Sequence, residues 1–517
     1  MNNTHYTFLT SRTGETVPAI IDKDGSSRPL HSTIDPIREA ERLVSTIPQD
    51  TGFVIFLGLG GGFAPQITLA KTAAQIVVID FDKQAIKEIL SSKDYSPLLN
   101  NPRFCLLTDF TLDEIKKYIL EHYNPALCGG IKVIPLRTRT DNDERFNKAA
   151  AVIQEAVDET SSDFSVQAHF GLRWFSNIIR NIKTAEKSDR SFSAKKIDKA
   201  AIVAAGPSLD RQITALAEHK SKGVFIICAD TALPVLLHNS IEPDAVVSID
   251  CQHISHYHFF GCNISSIPLI LDIASPPLLS RFSALPVFFS SGHPLALYIS
   301  RYWRSLPILD TSGGNVTYAC LSLAETLGAN CITLFGADFS YVRSQTYARG
   351  TYVYPYFNRR QNRLAPAESQ MSAFLYRAPF LPQENENQIY HETNSLRFYR
   401  TKLEEKAANM NAQICAFQGQ GAPINLTNKA ANNANNKNYT IGAAENQAKS
   451  GIEFLEQYRS DIAALPASGL NDKQRQIFTT LLPTAAALKH RGANGNKELI
   501  EATKHHCITQ IDKVLGR

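Results

Sequence analysis

Two stretches of this chain alternate short Val- and Ile-rich runs, each closed by Asp, Gly or Ser, with segments that carry apolar residues at helical spacing. Apolar runs without in-and-out alternation, joined by helices, require a largely parallel sheet covered on both faces, so the pattern dictates an α/β fold. In the first stretch GFVIFLGLGGGF and AQIVVIDFD flank about a dozen residues that form a crossover helix, a βαβ unit. In the second, KAAIVAAG, GVFIICAD, AVVSID, PLILDIAS, PVFFSS and CITLFGAD are strands, most with helical patterns between them.

The chain has 517 residues, too many for one core, and the usual scale of about 100 to 200 residues per domain implies about three domains. The expected organisation is a Rossmann-like domain over 1–140, a helical connector over 141–194 carrying AAAVIQEAVDE and HFGLRWFSNIIRNIKTAEK, and a central α/β domain over 195–425. An Asn/Ala-rich linker at 426–445 and a helical region over 446–517 complete it. A 44% hydrophobic share, 20% charged residues and a net charge of +4 describe a globular protein with no demand for nucleic acid as partner. The nine cysteines form no close pair, which argues against a zinc site or redox dithiol and for reduced thiols in a cytosol. MNNTHYTFLTSRTGE lacks the basic start and apolar run of a signal peptide, and the apolar runs are strand-length, so a cytoplasmic protein without a membrane span is expected.

Gly58, Gly60, Gly61 and Gly62 follow the first strand, and Asp80 and Asp82 close the next, the places where a nucleotide phosphate and ribose bind in such folds. Phe63 stands where the third glycine of G-x-G-x-x-G falls, and the turn is closer to that of a methyl-donor-binding fold. Asp80-Phe81-Asp82 is also a D-x-D triplet of the kind that holds a metal and a sugar nucleotide in some glycosyltransferases. Gly58, Gly60, Gly61 and Asp80 thus define a candidate second ligand site, against which stands the favoured reading of a scaffold without a working cofactor site.

In the central domain KAAIVAA runs into Gly206-Pro207-Ser208, and Leu209, Ile213 and Leu216 then repeat at helical spacing. Ser208 is a helix cap, and a helix start at the carboxyl end of a parallel strand is where anions bind. The next two strands end in Asp230, followed by Thr231, and in Asp250; Thr311-Ser312-Gly313-Gly314-Asn315 is a second small-residue turn before a helix. CITLFGAD delivers Asp338 to the same side. His253, His256 and His258 fit no zinc spacing and read as a loop without metal.

The ordered set AAGPSLD, ADTALPVLLHNSIEPDAVVSID and TSGGNVTYACLSLAETLGANCITLFGADFSY is similar to the motility-associated factor glycosyltransferases, which attach nonulosonic acids to flagellin. It also resembles bacterial sialyltransferases that use a cytidine monophosphate (CMP) sugar. The resemblance covers about half of the chain. It implies a sialyltransferase-like central domain in which Ala205, Gly206, Pro207, Ser208, Asp230, Thr231, Asp250, Thr311, Ser312, Gly313, Gly314, Asn315 and Asp338 hold the nucleotide sugar. Ala205 stands where the sialyltransferases have an asparagine, and Asp230 replaces another of their polar contacts.

The same resemblance makes His391, before a helix running through ETNSLRFYRTKLEEKAANMNAQICAF, the general base, and a neutral imidazole suits that role. It makes Tyr341 and Tyr347 the groups that meet the leaving phosphate, with Arg343 and Arg349 as further contacts or solvated surface. The implied reaction moves a pseudaminic, legionaminic or sialic-acid-like sugar from CMP to Ser or Thr of flagellin, with inversion and without metal or other cofactor. Two alternatives remain. The central domain also resembles the 6-hydroxymethylpterin pyrophosphokinases, which need ATP and Mg²⁺, and a non-catalytic flagellin-binding motility protein would present the same helical flanks.

Overall fold

The structure, a computed structural model, describes residues 6–21, 25–140, 143–188, 192–194, 197–385, 388–426, 439–441, 449–466, 470–493 and 496–517. Apart from 426 and 439–441, the linker expected at 426–445 lies outside the described residues. The chain divides into two units, one of residues 1–169 with 485–499 and the other of residues 170–484 with 500–517.

The first unit is built on a four-stranded parallel sheet of β1 (Thr51–Leu57), β2 (Gln75–Asp80), β3 (Phe104–Thr108) and β4 (Gly130–Pro135), in the order β3-β2-β1-β4. β1 shows why the apolar run is continuous: Phe53, Ile55 and Leu57 enter one core and Val54 and Phe56 the other. The crossover from β1 to β2 is helix α1 (Phe63–Lys71). β3 and β4 escaped sequence reading because they are edge strands, mostly half-buried, with weaker apolar runs. An antiparallel sheet of Tyr6–Thr10, Thr16–Ile21 and Ser27–Pro29 was also not anticipated.

The second unit carries seven parallel strands: β5 (Lys199–Val203), β6 (Phe225–Ala229), β7 (Ala245–Ser248), β8 (Leu269–Asp272), β9 (Pro286–Phe289), β10 (Cys331–Phe335) and β11 (Gln413–Ala416). Their order is β9-β8-β7-β6-β5-β10-β11. Ala201, Val203, Ile226 and Cys228 point to one face and Ala200, Ile202, Ile227 and Ala229 to the other, and both faces are covered. The chain builds outward from β5 to β9 and then returns to lay β10 on the other side of β5, so the strand order reverses between β5 and β10. A crevice opens outside the carboxyl ends of the strands at such a point.

Helix α2 (Glu144–Lys187) is one continuous 44-residue element within which the division into units falls. In the second unit its Phe175, Ile178, Ile179, Ile182 and Ala185 repeat at helical spacing and enter the core below the sheet. On the same stretch Asn177 donates to Cys251 O and Ala274 O, and Asn181 to Ile273 O and Ser275 O, at 2.8–3.0 Å. These buried amides fix the loops that leave β7 and β8. The helices that follow strand ends are α3 (Leu209–Ser221), α4 (Val316–Thr326) and α5 (Asn394–Asn409). α5 ends at Met410, whose extended backbone turns the chain into β11, where the sequence pattern predicted continued helix. A three-stranded antiparallel sheet of Tyr341–Val342, Gln388–Thr393 and Phe380–Asn385 stands beyond β10. Helices α6 (Gly451–Ala463), α7 (Asp472–His490) and α8 (Asn496–Leu515) close the chain. Among the described residues no helix is long and apolar enough to cross a membrane.

Candidate functional site

At the reversal between β5 and β10 the Gly-Pro-Ser turn and Asp338 meet directly. Asp338 Oδ2 accepts from the Ser208 amide at 2.7 Å and Oδ1 from the Ser208 hydroxyl at 2.5 Å. Ser208 therefore does not cap α3, as the sequence predicted; its hydroxyl is turned to the carboxylate, and no side-chain cap bond forms. The anion that sits on this helix start is Asp338 itself. Gln420 N donates to Ser208 Oγ at 2.8 Å, and Ala422 N to Asp338 O at 2.9 Å, so the segment after β11 closes over the pair. Burial pushes the Asp338 carboxyl up, and the bonds from Ser208 and Gly421 offset part of that.

Gly206 is required by close approach. A Cβ there would lie 2.4 Å from both Asp338 Oδ2 and Gly336 O. Phe339, next to Asp338, has φ +45, and Arg343 and Ser344 are also in the left-handed region. That is costly for non-glycine residues, and such strain collects at functional sites. Ala205 is buried and its carbonyl accepts from Ala348 N, while Arg349 is tied through its amide to Asp210 Oδ1 at 2.8 Å.

Asp230, expected to face the crevice, is instead fully buried at 0% exposure. Its carboxylate takes Thr231 N at 2.7 Å, Thr231 Oγ1 at 3.1 Å and Ser248 Oγ at 2.6 Å. His258 Nδ1 stands 3.2 Å away, within ion-pair reach although outside hydrogen-bond angles. Burial pushes the Asp230 carboxyl up, but the charge of His258 and the surrounding hydrogen bonds outweigh it, and the net displacement is downward. Asp250, one strand over, is partly exposed, accepts from Gln252 N at 2.9 Å and is pushed up by burial.

The Thr311–Asn315 turn packs around Tyr318. Asn315 caps α4 by accepting from Tyr318 N at 3.0 Å, Ser312 Oγ lies 3.2 Å from the Tyr318 hydroxyl, and a Cβ on Gly313 would enter that ring. Gly314, at φ +72, lies against the Tyr399 ring. This cap leaves the amides of Val316 and Thr317 without an intrahelical partner at the start of α4, a place suited to an anion.

His391 and Tyr341 are directly opposed residues of the small antiparallel sheet. Opposed residues of such a ladder project to the same face with Cα atoms roughly 4.5–5.5 Å apart. The next residue, Glu392, is buried and ion-paired to Arg397 at 2.9 Å and Arg400 at 2.8 Å, and Thr393 caps α5. His391 is thus carried on a strand end locked by a buried carboxylate. Tyr347 is partly buried, and burial pushes its phenol up, so it remains a donor at neutral pH.

Sequence reading weighed His258 only as a zinc ligand, setting it in a loop without metal, and passed over Tyr352. His258 lies on the short helix His256–Phe259, where it is held by Asp230 and not in an open loop. Its ring lies 4.7 Å from that of Tyr352. Burial first, then the charges of Asp230 and Asp250 against that of Arg377, push the Tyr352 phenol up to about 12. The one available signal was chemical: a histidine a few residues past an acidic strand tip. Beside Tyr352 a cavity of about 190 Å³ lies between Tyr257, Phe260, Tyr356, Arg359 and Arg360. Among the described residues no cluster of three or more His, Cys, Asp or Glu is arranged to hold a metal ion.

In the first unit the glycine turn is filled from within. The Gly61 amide donates to His31 Nε2 at 2.7 Å, the Tyr95 hydroxyl donates to Gly61 O, and a Cβ on Gly60 would meet His31 Nε2 at 2.4 Å. Asp80 accepts from Leu59 N and Phe81 N. Gly58, at φ +91, makes the turn. These contacts support a scaffold role. A larger concavity of about 600 Å³ in this unit runs between Phe8, Thr16 and helix Lys83–Ser91 and meets none of these groups.

Comparison with known proteins agrees with this architecture. A family profile described as 6-hydroxymethylpterin diphosphokinase MptE-like matches residues 175–344. The structure of MAf glycosyltransferase from Magnetospirillum magneticum AMB-1 superposes with a TM-score of 0.55 over 98% of this chain and 91% of that one, at 14% identity. The chain is therefore MAf-like in fold with an MptE-like central domain. Among uncharacterized proteins of Treponema pallidum (strain Nichols), one is 34% identical over 145 residues, which are 27% of this chain and 51% of that protein. A second is 30% identical over 185 residues, 34% of this chain and 87% of the relative. The chain thus spans about half the length of the first relative and most of the second, and it belongs to the same family as the second.

Proposed function

We propose that the protein is a glycosyltransferase that moves a nonulosonic acid from a CMP-linked donor to a Ser or Thr hydroxyl of flagellin, with inversion. The observation that carries this reading is the opposition of His391 and Tyr341 on one face of the sheet beyond β10. An acceptor base and a phosphate donor must stand close together on opposite sides of one anomeric carbon for direct displacement. His391 takes the acceptor proton as the new C–O bond forms; the bond from the anomeric carbon to the phosphate oxygen breaks, and its electron pair leaves with CMP. Tyr341 and Tyr347 donate hydrogen bonds to the departing phosphate, and the free amides of α4 with Asp250 line the nucleotide side of the crevice. The catalytic description borne by MAf glycosyltransferase supports the transferase class.

No divalent cation is assigned a part. The buried Ser208–Asp338 pair fixes the β5–β10 turn against which the donor rests and is a positioning element. A second reading, ATP-dependent diphosphoryl transfer to 6-hydroxymethylpterin, draws on the MptE-like match, which covers 175–344 alone, whereas the fold likeness covers 98% of the chain. Calorimetric titration with CMP, with ATP and Mg²⁺, and with a methyl donor separates the readings. Binding of CMP alone is expected; binding of ATP with Mg²⁺ in its place sinks the first reading and supports the second.

A further inference from the structure

We propose that the cavity of about 190 Å³ between Tyr257, Phe260, Tyr352, Tyr356, Arg359 and Arg360 is the subsite for the carboxylated sugar ring of the donor, with the two guanidinium groups on its carboxylate. The inference rests on the CMP-donor reading above and adds to it the residues that recognise the sugar acid. Pro234, on the helix Leu233–His238 that follows Asp230, is part of the wall, so the cavity lies past the carboxyl end of β6. Phe260 is 56% exposed and Tyr257 39%, so the cavity reaches solvent and a ligand can enter. Its size suits one ring with the carboxylate it bears; sites for larger molecules such as a whole nucleotide run from about 300 Å³ upward.

Arg359 and Arg360 end the short helix Val353–Asn358. Arg359 stands over the Phe260 ring at 5.0 Å to the centroid and Arg360 over the Tyr356 ring at 3.9 Å, where it also donates to the Tyr356 hydroxyl. Stacking on a ring face holds a guanidinium flat and leaves its edge N–H groups in the plane of the fork, the geometry that meets a carboxylate with two parallel bonds. Among the described residues no carboxylate pairs with either arginine, whereas Arg349 and Arg397, to either side in sequence, are paired with Asp210 and Glu392. No acidic residue lines the cavity, so nothing in its wall balances the two charges, and an anion complements them. Tyr257 meets Tyr356 edge to face at 5.5 Å and Tyr352 meets Tyr356 at 6.5 Å, so the wall between the arginines is aromatic and offers ring faces to the C–H bonds of a sugar. A carboxylated ring uses both kinds of wall at once. Tyr352 also joins the cavity to the reacting end, because its ring lies 6.2 Å from that of Tyr347, the tyrosine assigned to the departing phosphate.

The test is calorimetric titration of the full chain with N-acetylneuraminic acid, with its uncharged methyl ester and with CMP, in the wild type, Arg359→Gln, Arg360→Gln and the double variant. Charge-assisted hydrogen bonds predict that the wild type binds the acid about tenfold or more tightly than the ester, and that each single variant loses about tenfold for the acid. The double variant should bind acid and ester equally, with CMP, which carries no sugar acid, held within about twofold of wild type. Should a variant fail to fold, the wild type decides by phenylglyoxal labelling read by peptide mass spectrometry: the acid must shield Arg359 and Arg360, and the ester and CMP must not. No binding of the acid, equal wild-type affinity for acid and ester, unchanged acid affinity in the double variant, or equal labelling of both arginines with and without the acid overturns the proposal. CMP that fails to bind while the acid binds through these arginines overturns the donor reading alone.

Discussion

Replacing Asp338 by alanine removes the acceptor at the centre of the β5–β10 turn. In the native protein this carboxylate serves the Ser208 amide at 2.7 Å, the Ser208 hydroxyl at 2.5 Å and the Gly421 amide. The hydroxyl can rotate to a new acceptor, but two amides are stranded in a buried setting, at about 1–2 kcal/mol each. Burial already penalises the carboxylate, so removing its charge returns part of that cost and leaves a net loss of about 2 kcal/mol. At about 1.4 kcal/mol per factor of ten this is roughly a thirtyfold rise in local opening. A chain of two units need not unfold in one step, so the assay is hydrogen exchange by mass spectrometry on peptides covering 206–216 and 418–424. Those peptides should exchange about thirtyfold faster, while peptides from β1 and β2 keep their native rates. Protection within twofold of wild type in both peptides would refute the assignment of Asp338 as the clasp of this turn.

Gly206→Ala sets a Cβ 2.4 Å from Asp338 Oδ2 and Gly336 O and is expected to abolish soluble protein or CMP binding. Gly223→Ala, at φ +75 with nothing within 4 Å, should cost only about 1 kcal/mol by denaturant titration. Burial pushes Asp272 up to about 6. Since the unfolded carboxyl titrates near about 3.9, the unfolded chain sheds this proton first, and stability falls by about 3 kcal/mol as pH rises between those values. Asp272→Asn should flatten that part of the stability profile and raise stability at pH 7.5. Glu392→Ala leaves Arg400 without its buried partner; a fall of about 2–3 kcal/mol in stability is expected by melting and denaturant titration, together with slower transfer because His391 is adjacent. His391→Ala should leave flagellin unglycosylated in a deletion strain at normal protein abundance; intact glycosylation would remove His391 from its role.

The strands buried on both faces were legible because β5, β6, β7 and β10 are apolar at every position except Lys199, Ser248 and Thr333, and their carboxyl tips were legible from the Asp or Gly that stops each run. β11 was not, because QICA follows helix α5 with only Met410 and its neighbours to mark the turn. The edge strands β3 and β4 bury too little surface to impose a clear pattern, and in the sheet carrying His391 polar residues interrupt the strand Gln388–Thr393. In the site, motif order drew attention to Ser208 and Asp338, but their mutual hydrogen bonds spend the groups that were expected to face a ligand. That outcome depends on partners 130 residues apart, and on Gln420, 212 residues from Ser208, so no local pattern encodes it. Asp230 could be placed at a strand tip from sequence, but its inward turn could not, since the ring that receives it was judged against zinc spacings alone.

Purified protein mixed with unglycosylated flagellin and a CMP-activated nonulosonic acid, followed by intact-mass spectrometry of the flagellin, measures the proposed reaction itself. The account predicts stepwise mass increments of one sugar residue with stoichiometric release of CMP, absent in His391→Ala. Unchanged flagellin mass, alongside ATP-dependent diphosphorylation of 6-hydroxymethylpterin by the same preparation, would contradict it.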